Sequence, residues 1–233
     1  MTGEAQLEPV TWGLGDAALG IVLSWGITIL LSPLILAITG ASDTDNIPLR
    51  TVALLQVPLD GTMVAVALWV SMRKGRGPVL DFGLAAKLRD VTGVFVGAIT
   101  QYAALLVYLP LLWSGLLSAD DVSKPARDIT DKATDAPGVV LLVLIVVVAA
   151  PICEELFFRG LVLRAIDRRY GRRWAIAGSS VVFAAAHFEP LQFPALFLFG
   201  LVTAVYATRT GRLGPGVWAH MAFNGIAVFS LLR

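Results

Sequence analysis

The chain alternates between long apolar runs and short polar stretches. A helix that crosses a membrane needs about 20 mostly apolar residues. Four runs reach this length, and three shorter runs follow them: Ala17–Thr39, Thr51–Met72, Val91–Leu117, Ala136–Phe158, Trp174–Phe188, Pro194–Thr208 and Pro215–Leu232. The pattern predicts an all-α, polytopic bundle of about seven transmembrane helices, in which neighbouring helices cover the shorter fifth and sixth spans.

The composition agrees with a membrane location. Of 233 residues, 57% are hydrophobic and 15% are charged, whereas a soluble domain carries about 25% charged residues. The formal net charge of +1 gives no reason to expect a nucleic-acid partner. We therefore expect an integral membrane protein in contact with the lipid bilayer, and the bias toward Ala, Val, Gly and Arg favours a bacterial cytoplasmic membrane.

The connections between the apolar runs alternate in charge. The second, fourth and sixth are basic: Arg73, Lys74, Arg76, Lys87 and Arg89, then Arg164, Arg168, Arg169, Arg172 and Arg173, then Arg209 and Arg212. The other connections are acidic, mixed or nearly uncharged, with Asp43 and Asp45 in the first. The positive-inside rule places the basic connections, and hence the N-terminus, in the cytoplasm.

Two polar features of the N-terminal half have no assigned role. The longest polar stretch is Ser118–Asp135, which we interpret as a solvated connector, with a gate over a site as the alternative. Asp60 lies midway along the second apolar run, where it is expected to hydrogen-bond within the bundle. Neither feature predicts a catalytic group.

Few ionisable or strongly polar residues interrupt the last four apolar runs. They are Glu154, Glu155, Arg159, His187, His220 and Asn224. A charged side chain at the centre of a membrane helix costs about 2.5–3.5 kcal/mol on insertion scales, so such residues are candidates for a functional site. Counting about 1.5 Å per residue from the predicted boundaries places Glu154, His187 and His220 at depths of roughly 10–16 Å. Three helices would then bring polar groups to a similar depth.

The spacing separates the roles of the two adjacent glutamates. Neighbouring helical residues point about 100° apart, so Glu154 and Glu155 cannot both face one point. Arg159 follows Glu155 by four residues, a favourable order for an ion pair on one helix face. We therefore expect Glu155 to be held and Glu154 to be free to titrate. Pro151 cannot donate to the carbonyl of Val147, which predicts a kink that could exchange these roles.

Three motifs lie in order on separate apolar segments and resemble those of the CPBP family of membrane proteases. This family contains CAAX-processing and bacteriocin-processing proteases related to the Ras-converting endopeptidase of eukaryotes. The motifs are E-E-x-x-x-R at Glu154, Glu155 and Arg159, F-x-x-x-H at Phe183 and His187, and H-x-x-x-N at His220 and Asn224. The resemblance covers roughly the last hundred residues. It divides one integrated membrane domain into N-terminal spans with the polar loop, 1–135, and catalytic core helices, 136–233.

The resemblance implies an intramembrane endopeptidase. Its substrate would be a membrane-associated peptide or protein, with a CAAX-like segment or a leader peptide as candidates. A buried glutamate can serve as a general base on water, and we assign this role to Glu154, with His187 holding the water. His220 and Asn224 would donate hydrogen bonds to the developing oxyanion. Arg159 would keep Glu155 charged, and Phe183 would support the ring of His187.

Other chemistries and functions stay open at the level of sequence. Glu154, His187 and His220 would make a three-ligand zinc site with an open position, but the H-E-x-x-H pattern is absent. We therefore favour a mechanism without a cofactor, with zinc as the alternative. The alternative functions are a non-proteolytic scaffold or immunity factor and an ion- or proton-coupled transporter, because buried carboxylates and histidines also mark ion pathways.

Overall fold

The structure is a computed structural model that describes residues 10–41 and 46–232. Asp43 and Asp45 of the first connection lie outside these residues. All regular elements of the described chain are helical, which confirms the predicted all-α class. They are α1 Leu14–Thr39, α2 Leu49–Lys74, α3 Gly93–Trp113, α4 Ala119–Thr130, α5 Ala136–Tyr170, α6 Arg172–Ala185, α7 Phe193–Thr210 and α8 Gly214–Leu231. Two short helical turns, Pro78–Asp81 and Leu88–Thr92, lie between α2 and α3.

Five helical segments of the described chain are long and apolar enough to cross a membrane. They are α1, α2, Leu88–Trp113, α5 and α7. Two predicted spans do not meet these criteria, because α6 has only 14 residues and α8 carries His220 and Asn224 in its interior. The chain is an integral membrane protein, while the total of about seven spans and the cytoplasmic N-terminus stay predictions.

The basic connections and the first described residues lie at one end of the bundle, which we call the basic end. The contacts that join these segments include those of Trp12 Nε1 with the carbonyl of Leu161 (3.2 Å), Lys74 Nζ with Asp16 Oδ1 (2.6 Å), and Arg164 Nη2 with the carbonyl of Gly211 (3.3 Å). The indole of Trp12 is fully buried and packs edge-on against Phe82. The charge pattern of the sequence therefore corresponds to one face of the folded molecule.

The interpretation of Ser118–Asp135 as a solvated connector is wrong for most of its length, because residues 119–130 form α4. The helix begins with a capping box, in which the N–H of Asp121 donates to Ser118 Oγ (3.1 Å) and Asp121 Oδ2 accepts from the N–H of Ser118 (2.8 Å). Val122, Ala126 and Ile129 recur at helical spacing and face the bundle. The many charges of this segment concealed that pattern.

Helices α3 and α8 pack with their backbones unusually close. A Cβ atom on Gly93 would lie 2.2 Å from the carbonyl oxygen of Pro215, and one on Gly97 would lie 2.0 Å from that of Ala219. Only glycine fits at such distances. The contact holds α8, which carries the third motif, against a helix of the N-terminal half.

Candidate active site

The first motif lies on α5, which contains two π-helical segments, Val143–Ala149 and Glu155–Val162. In this register an N–H bonds the carbonyl five residues earlier, as the N–H of Ala150 does with Ile145. In the same register the N–H of residue 151 would bond the carbonyl of Val146, but residue 151 is a proline and has no N–H. Asn224 of α8 replaces it, since its Nδ2 donates to the carbonyl of Val146 at 2.9 Å. A second helix thus completes the backbone bonding of α5 beside the glutamates.

Glu155 is enclosed and held by two other side chains. Its Oε1 lies 3.1 Å from Nδ1 of His220 and 3.4 Å from Nη1 of Arg159. The ion pair expected from the four-residue spacing is therefore formed. A Cβ atom on residue 216 would lie only 3.0 Å from Glu155 Oε2, so the carboxylate fits here because residue 216 is a glycine. With 1% of its surface exposed, Glu155 has no access to a substrate.

Arg159 is fully buried and is fixed by partners from two other helices. Its Nη2 donates to the hydroxyl of Thr203 and lies 3.4 Å from the carbonyl of Gly200. Its guanidinium carbon lies 4.3 Å from the centre of the Phe183 ring, a cation–π geometry. Thr203 was not predicted from the sequence, because a threonine in an apolar helix carries no distinctive signal.

Glu154 faces a cavity instead of its neighbour. Its Oε2 lies 3.8 Å from Nε2 of His187 and 3.9 Å from Nε2 of His220. This oxygen is buried and has no hydrogen-bond partner in the described part of the chain. The two glutamates therefore have different surroundings, as expected. His220 lies between them, with Nδ1 facing Glu155 and Nε2 facing Glu154.

His187 lies just beyond the end of α6, which finishes at Ala185, and not within a helix as the sequence predicted. Its Nδ1 is 2.8 Å from the carbonyl of Phe183. Because a carbonyl oxygen can only accept, the proton of the neutral ring belongs on Nδ1, and the lone pair of Nε2 faces Glu154. The Phe183 ring packs edge-on against the imidazole, with centres 4.8 Å apart.

The cavity has a volume of about 390 Å³ and brings four of the predicted site residues together. Glu154, His187, His220 and Asn224 line it, while Glu155, Arg159 and Phe183 lie behind them. Most of the remaining wall is apolar and includes residues that sequence reasoning missed: Trp25, Gln56, Leu59, Met63, Ala126, Ile129 and Leu196. These residues belong to ordinary apolar or amphipathic patterns, so only their positions in the fold identify them.

Asp60 lies behind the cavity wall. Its Oδ1 accepts from Nε2 of Gln56 at 2.9 Å, one turn earlier on α2. The expectation that it bonds within the bundle is confirmed. Gln56 itself lines the cavity, so Asp60 orients a cavity side chain without reaching the cavity directly.

The three candidate zinc ligands lie close together, but farther apart than a bound zinc ion would hold them. Two ligands on a tetrahedral zinc ion lie about 3.3 Å apart, whereas Glu154 Oε2 is 3.8 Å and 3.9 Å from the histidine nitrogens. Over residues 10–41 and 46–232, no group of three or more His, Cys, Asp or Glu side chains could hold a metal ion. The geometry gives the zinc alternative no support.

Comparisons with known proteins agree with the motif assignment. Residues 136–226 match the family model described as Rce1-like, type II CAAX prenyl endopeptidase, and this segment contains all seven motif residues. The chain is also similar to a curated protein of Escherichia coli, named "Uncharacterized 24.3 kDa protein", with 39% identity over 90 residues. That alignment covers 36% of this chain and 42% of the length of the relative. No solved structure matches the chain.

Proposed function

We propose that this chain, whose residues 136–226 match the Rce1-like model of type II CAAX prenyl endopeptidases, is an intramembrane endopeptidase. It would hydrolyse a peptide bond in a membrane-associated peptide or protein. The observation that carries the proposal is the unpartnered Oε2 of Glu154, between Nε2 of His187 and Nε2 of His220. Oε2 of Glu155 is also buried without a partner, but Oε1 of that residue is bonded to His220 and Glu155 does not line the cavity, whereas Glu154 does.

The first step in this proposal is activation of a water molecule by Glu154. The Glu154 oxygen and the Nε2 lone pair of His187 are both acceptors, and their 3.8 Å separation is too long for a direct hydrogen bond. A single water could donate one hydrogen bond to each. Glu154 would then take the proton as the water attacks the scissile carbonyl, and deliver it to the leaving amine.

The second step is stabilisation of the oxyanion by α8. One amide hydrogen of Asn224 is used by Val146, which leaves the other for the substrate oxygen. His220 donates through Nδ1 to Glu155, so a second proton on Nε2 would let it donate to the oxyanion as well. Glu155 and Arg159 act as positioning residues, because they fix the ring of His220 and do not reach the cavity.

The cavity favours apolar substrate segments. Its volume of about 390 Å³ lies in the range of about 300–1,000 Å³ that small-ligand sites occupy. The walls offer aliphatic and aromatic side chains around one polar centre. A CAAX-like C-terminus or the apolar part of a leader peptide suits such a site, and we propose a bacterial cytoplasmic membrane as its location.

The test is cleavage of candidate membrane-associated peptides by the purified full chain in detergent. Glu154→Gln keeps the shape of the side chain but removes the base, so we expect cleavage to fall by roughly 10²–10⁴-fold. The matched control is Asp131→Asn, at an exposed aspartate that does not line the cavity, which should cleave as wild type does. Thermal unfolding of both variants shows whether the loss is chemical or structural.

Four results would contradict the proposal or parts of it. Normal cleavage by Glu154→Gln, Glu155→Gln and His187→Ala would exclude the protease assignment, and absence of cleavage by wild type would favour the scaffold or transporter alternatives. Loss of activity in Glu155→Gln alone would exchange the roles of the glutamates. Loss of activity on chelation, with recovery on addition of zinc, would overturn the metal-independent mechanism.

A further inference from the structure

A second pocket lies at the basic end and shares no residue with the catalytic cavity. It has a volume of about 370 Å³ and lies between the turn Leu88–Thr92, the end of α7 and the start of α8. Three arginines line it, namely Arg89, Arg209 and Arg212. The rest of the lining is Asp90, Thr92, Tyr206, Thr210 and Pro215. Nothing in the proposed proteolytic mechanism uses these residues.

Arg212 is the buried part of this pocket, with 8% of its surface exposed. Its Nη2 donates to Asp90 Oδ2 and to the carbonyl of Ala85. Its Nη1 and Nε are buried and have no hydrogen-bond partner within residues 10–41 and 46–232. Unpaired guanidinium donors are costly to bury, so this arginine calls for a further acceptor from outside the chain.

The charge of the pocket favours an anion. Asp90 is the one acidic residue that lines it; its Oδ2 is engaged by Arg212 and by the N–H of Lys87 at 3.0 Å, while its Oδ1 is buried without a partner in the described residues. Arg89 and Arg209 are exposed and form no ion pair in the part of the chain that the structure describes. Three arginines against one aspartate leave two positive charges for a ligand. Guanidinium groups bind phosphate oxygens with paired hydrogen bonds.

The pocket continues into an exposed apolar surface. Leu88, beside Arg89, is 91% exposed, and Phe95 and Ile99 on α3 are 71% and 68% exposed. Phe95 and Ile99 are one helical turn apart and therefore share a face that leads from the pocket along a candidate membrane span. A soluble phosphate compound would contact only the arginines, whereas a phospholipid would contact the arginines with its phosphate and the apolar face with its acyl chains.

We propose that this pocket binds an anionic phospholipid, with the phosphate at Arg89, Arg209 and Arg212 and the acyl chains along the face of Phe95 and Ile99. Basic pockets between membrane helices bind anionic head groups on the cytoplasmic side. The predicted orientation puts the basic end on that side. The site is independent of the proteolytic function.

The test is binding of defined lipids to the delipidated full chain in detergent, followed by native mass spectrometry. We expect phosphatidylglycerol to bind more tightly than phosphatidylcholine with the same acyl chains. The double variant Arg89→Gln/Arg209→Gln should weaken phosphatidylglycerol binding by roughly 30-fold, given the typical contribution of a basic residue near an anionic lipid surface. Arg212 is left intact, because its removal would leave Asp90 buried without its ion pair.

The matched control is Arg73→Gln/Arg173→Gln, which removes two exposed arginines of the basic connections that do not line the pocket. It should bind phosphatidylglycerol as wild type does, since neither residue lines the pocket. Equal weakening in both double variants, or equal affinity for the two lipids, would overturn the site. Competition by glycerol 3-phosphate at the same concentration as the intact lipid would show a soluble phosphate ligand and overturn the lipid assignment.

Discussion

At the scale of single residues, Asn224 has two separable roles. It lines the cavity, where we propose that it donates to the oxyanion, and it also bonds the carbonyl of Val146 that Pro151 cannot serve. The second role is structural, because a buried carbonyl without a donor is destabilising. A stability measurement can therefore detect it independently of any peptidase activity.

We expect Asn224→Ala to lower the free energy of unfolding by about 1 kcal/mol through loss of this hydrogen bond. Pro151→Ala supplies a backbone N–H that can bond Val146 directly, so Asn224→Ala should cost less in that background. Unfolding in detergent of wild type, the two single variants and the double variant gives the coupling free energy between the two positions, which we expect to be about 1 kcal/mol. Additive effects of Asn224→Ala and Pro151→Ala on the free energy of unfolding would contradict this explanation. The neutral control is Asn46→Ala, at an exposed asparagine.

The sequence predicted those residue contacts that depend on local spacing. Glu155 and Arg159 pair because they are four apart on one helix. Phe183 also packs on His187 four residues later, although the helix ends at Ala185 between them. The contact of His220 with Glu155 depends on how α8 crosses α5, which no local pattern specifies. Thr203 and Gly216 were missed because their importance arises only from the group placed opposite them.

At the scale of elements, α4 is the part of the fold that differs most from expectation. The length of the apolar runs was sufficient to predict α1, α2, α3 and α5, since a spanning helix must be long and apolar. A short amphipathic helix depends on weaker signals, here the capping box at Ser118 and the spacing of Val122, Ala126 and Ile129. The helix forms one wall of the cavity that Glu154 lines, and Gln192 Nε2 donates to the carbonyl of Val122 in this helix at 2.6 Å.

The start of α4 should be sensitive to acid. The hydroxyl and the N–H of Ser118 donate to Asp121, which lowers the pKa of that carboxyl below its ordinary value of 3.8. A depressed folded-state pKa gives stabilisation that is present above the unfolded-state pKa and lost as the pH falls through the folded-state value. We therefore expect the first turn of α4 to fray below about pH 4.

Hydrogen exchange of amides 118–122, measured across this pH range with correction for the intrinsic exchange rate, tests the expectation. Asp121→Asn should remove the pH-dependent part of the protection, because the replaced group does not titrate. Asp131→Asn, at the other end of α4, should leave exchange at the first turn unchanged. Protection that persists unchanged to pH 2 in wild type would show that the cap does not depend on the carboxylate charge.

At the scale of the whole molecule, the candidate site depends on both halves of the chain. All motif residues lie in 136–226, but Trp25, Gln56 and Met63 of α1 and α2 complete the cavity. Helix α8 is held in turn by the glycine face of α3. The motif residues supply the polar groups of the candidate site, and the N-terminal helices supply walls of the cavity and the packing that positions these groups.

The last prediction concerns this packing. In Gly97→Ala the new Cβ would lie 2.0 Å from the carbonyl oxygen of Ala219, next to His220, so α8 must move away from α3. We expect a loss of stability of about 1–3 kcal/mol and a fall in cleavage, because His220 and Asn224 move with the helix.

Gly26→Ala in α1 is the matched control, since a Cβ there meets nothing within 4 Å, and it should stabilise the helix by about 0.5–1 kcal/mol. Thermal unfolding in detergent and the peptide-cleavage assay compare the two variants. Equal stability and activity in both would show that the close contact between α3 and α8 does not position the site.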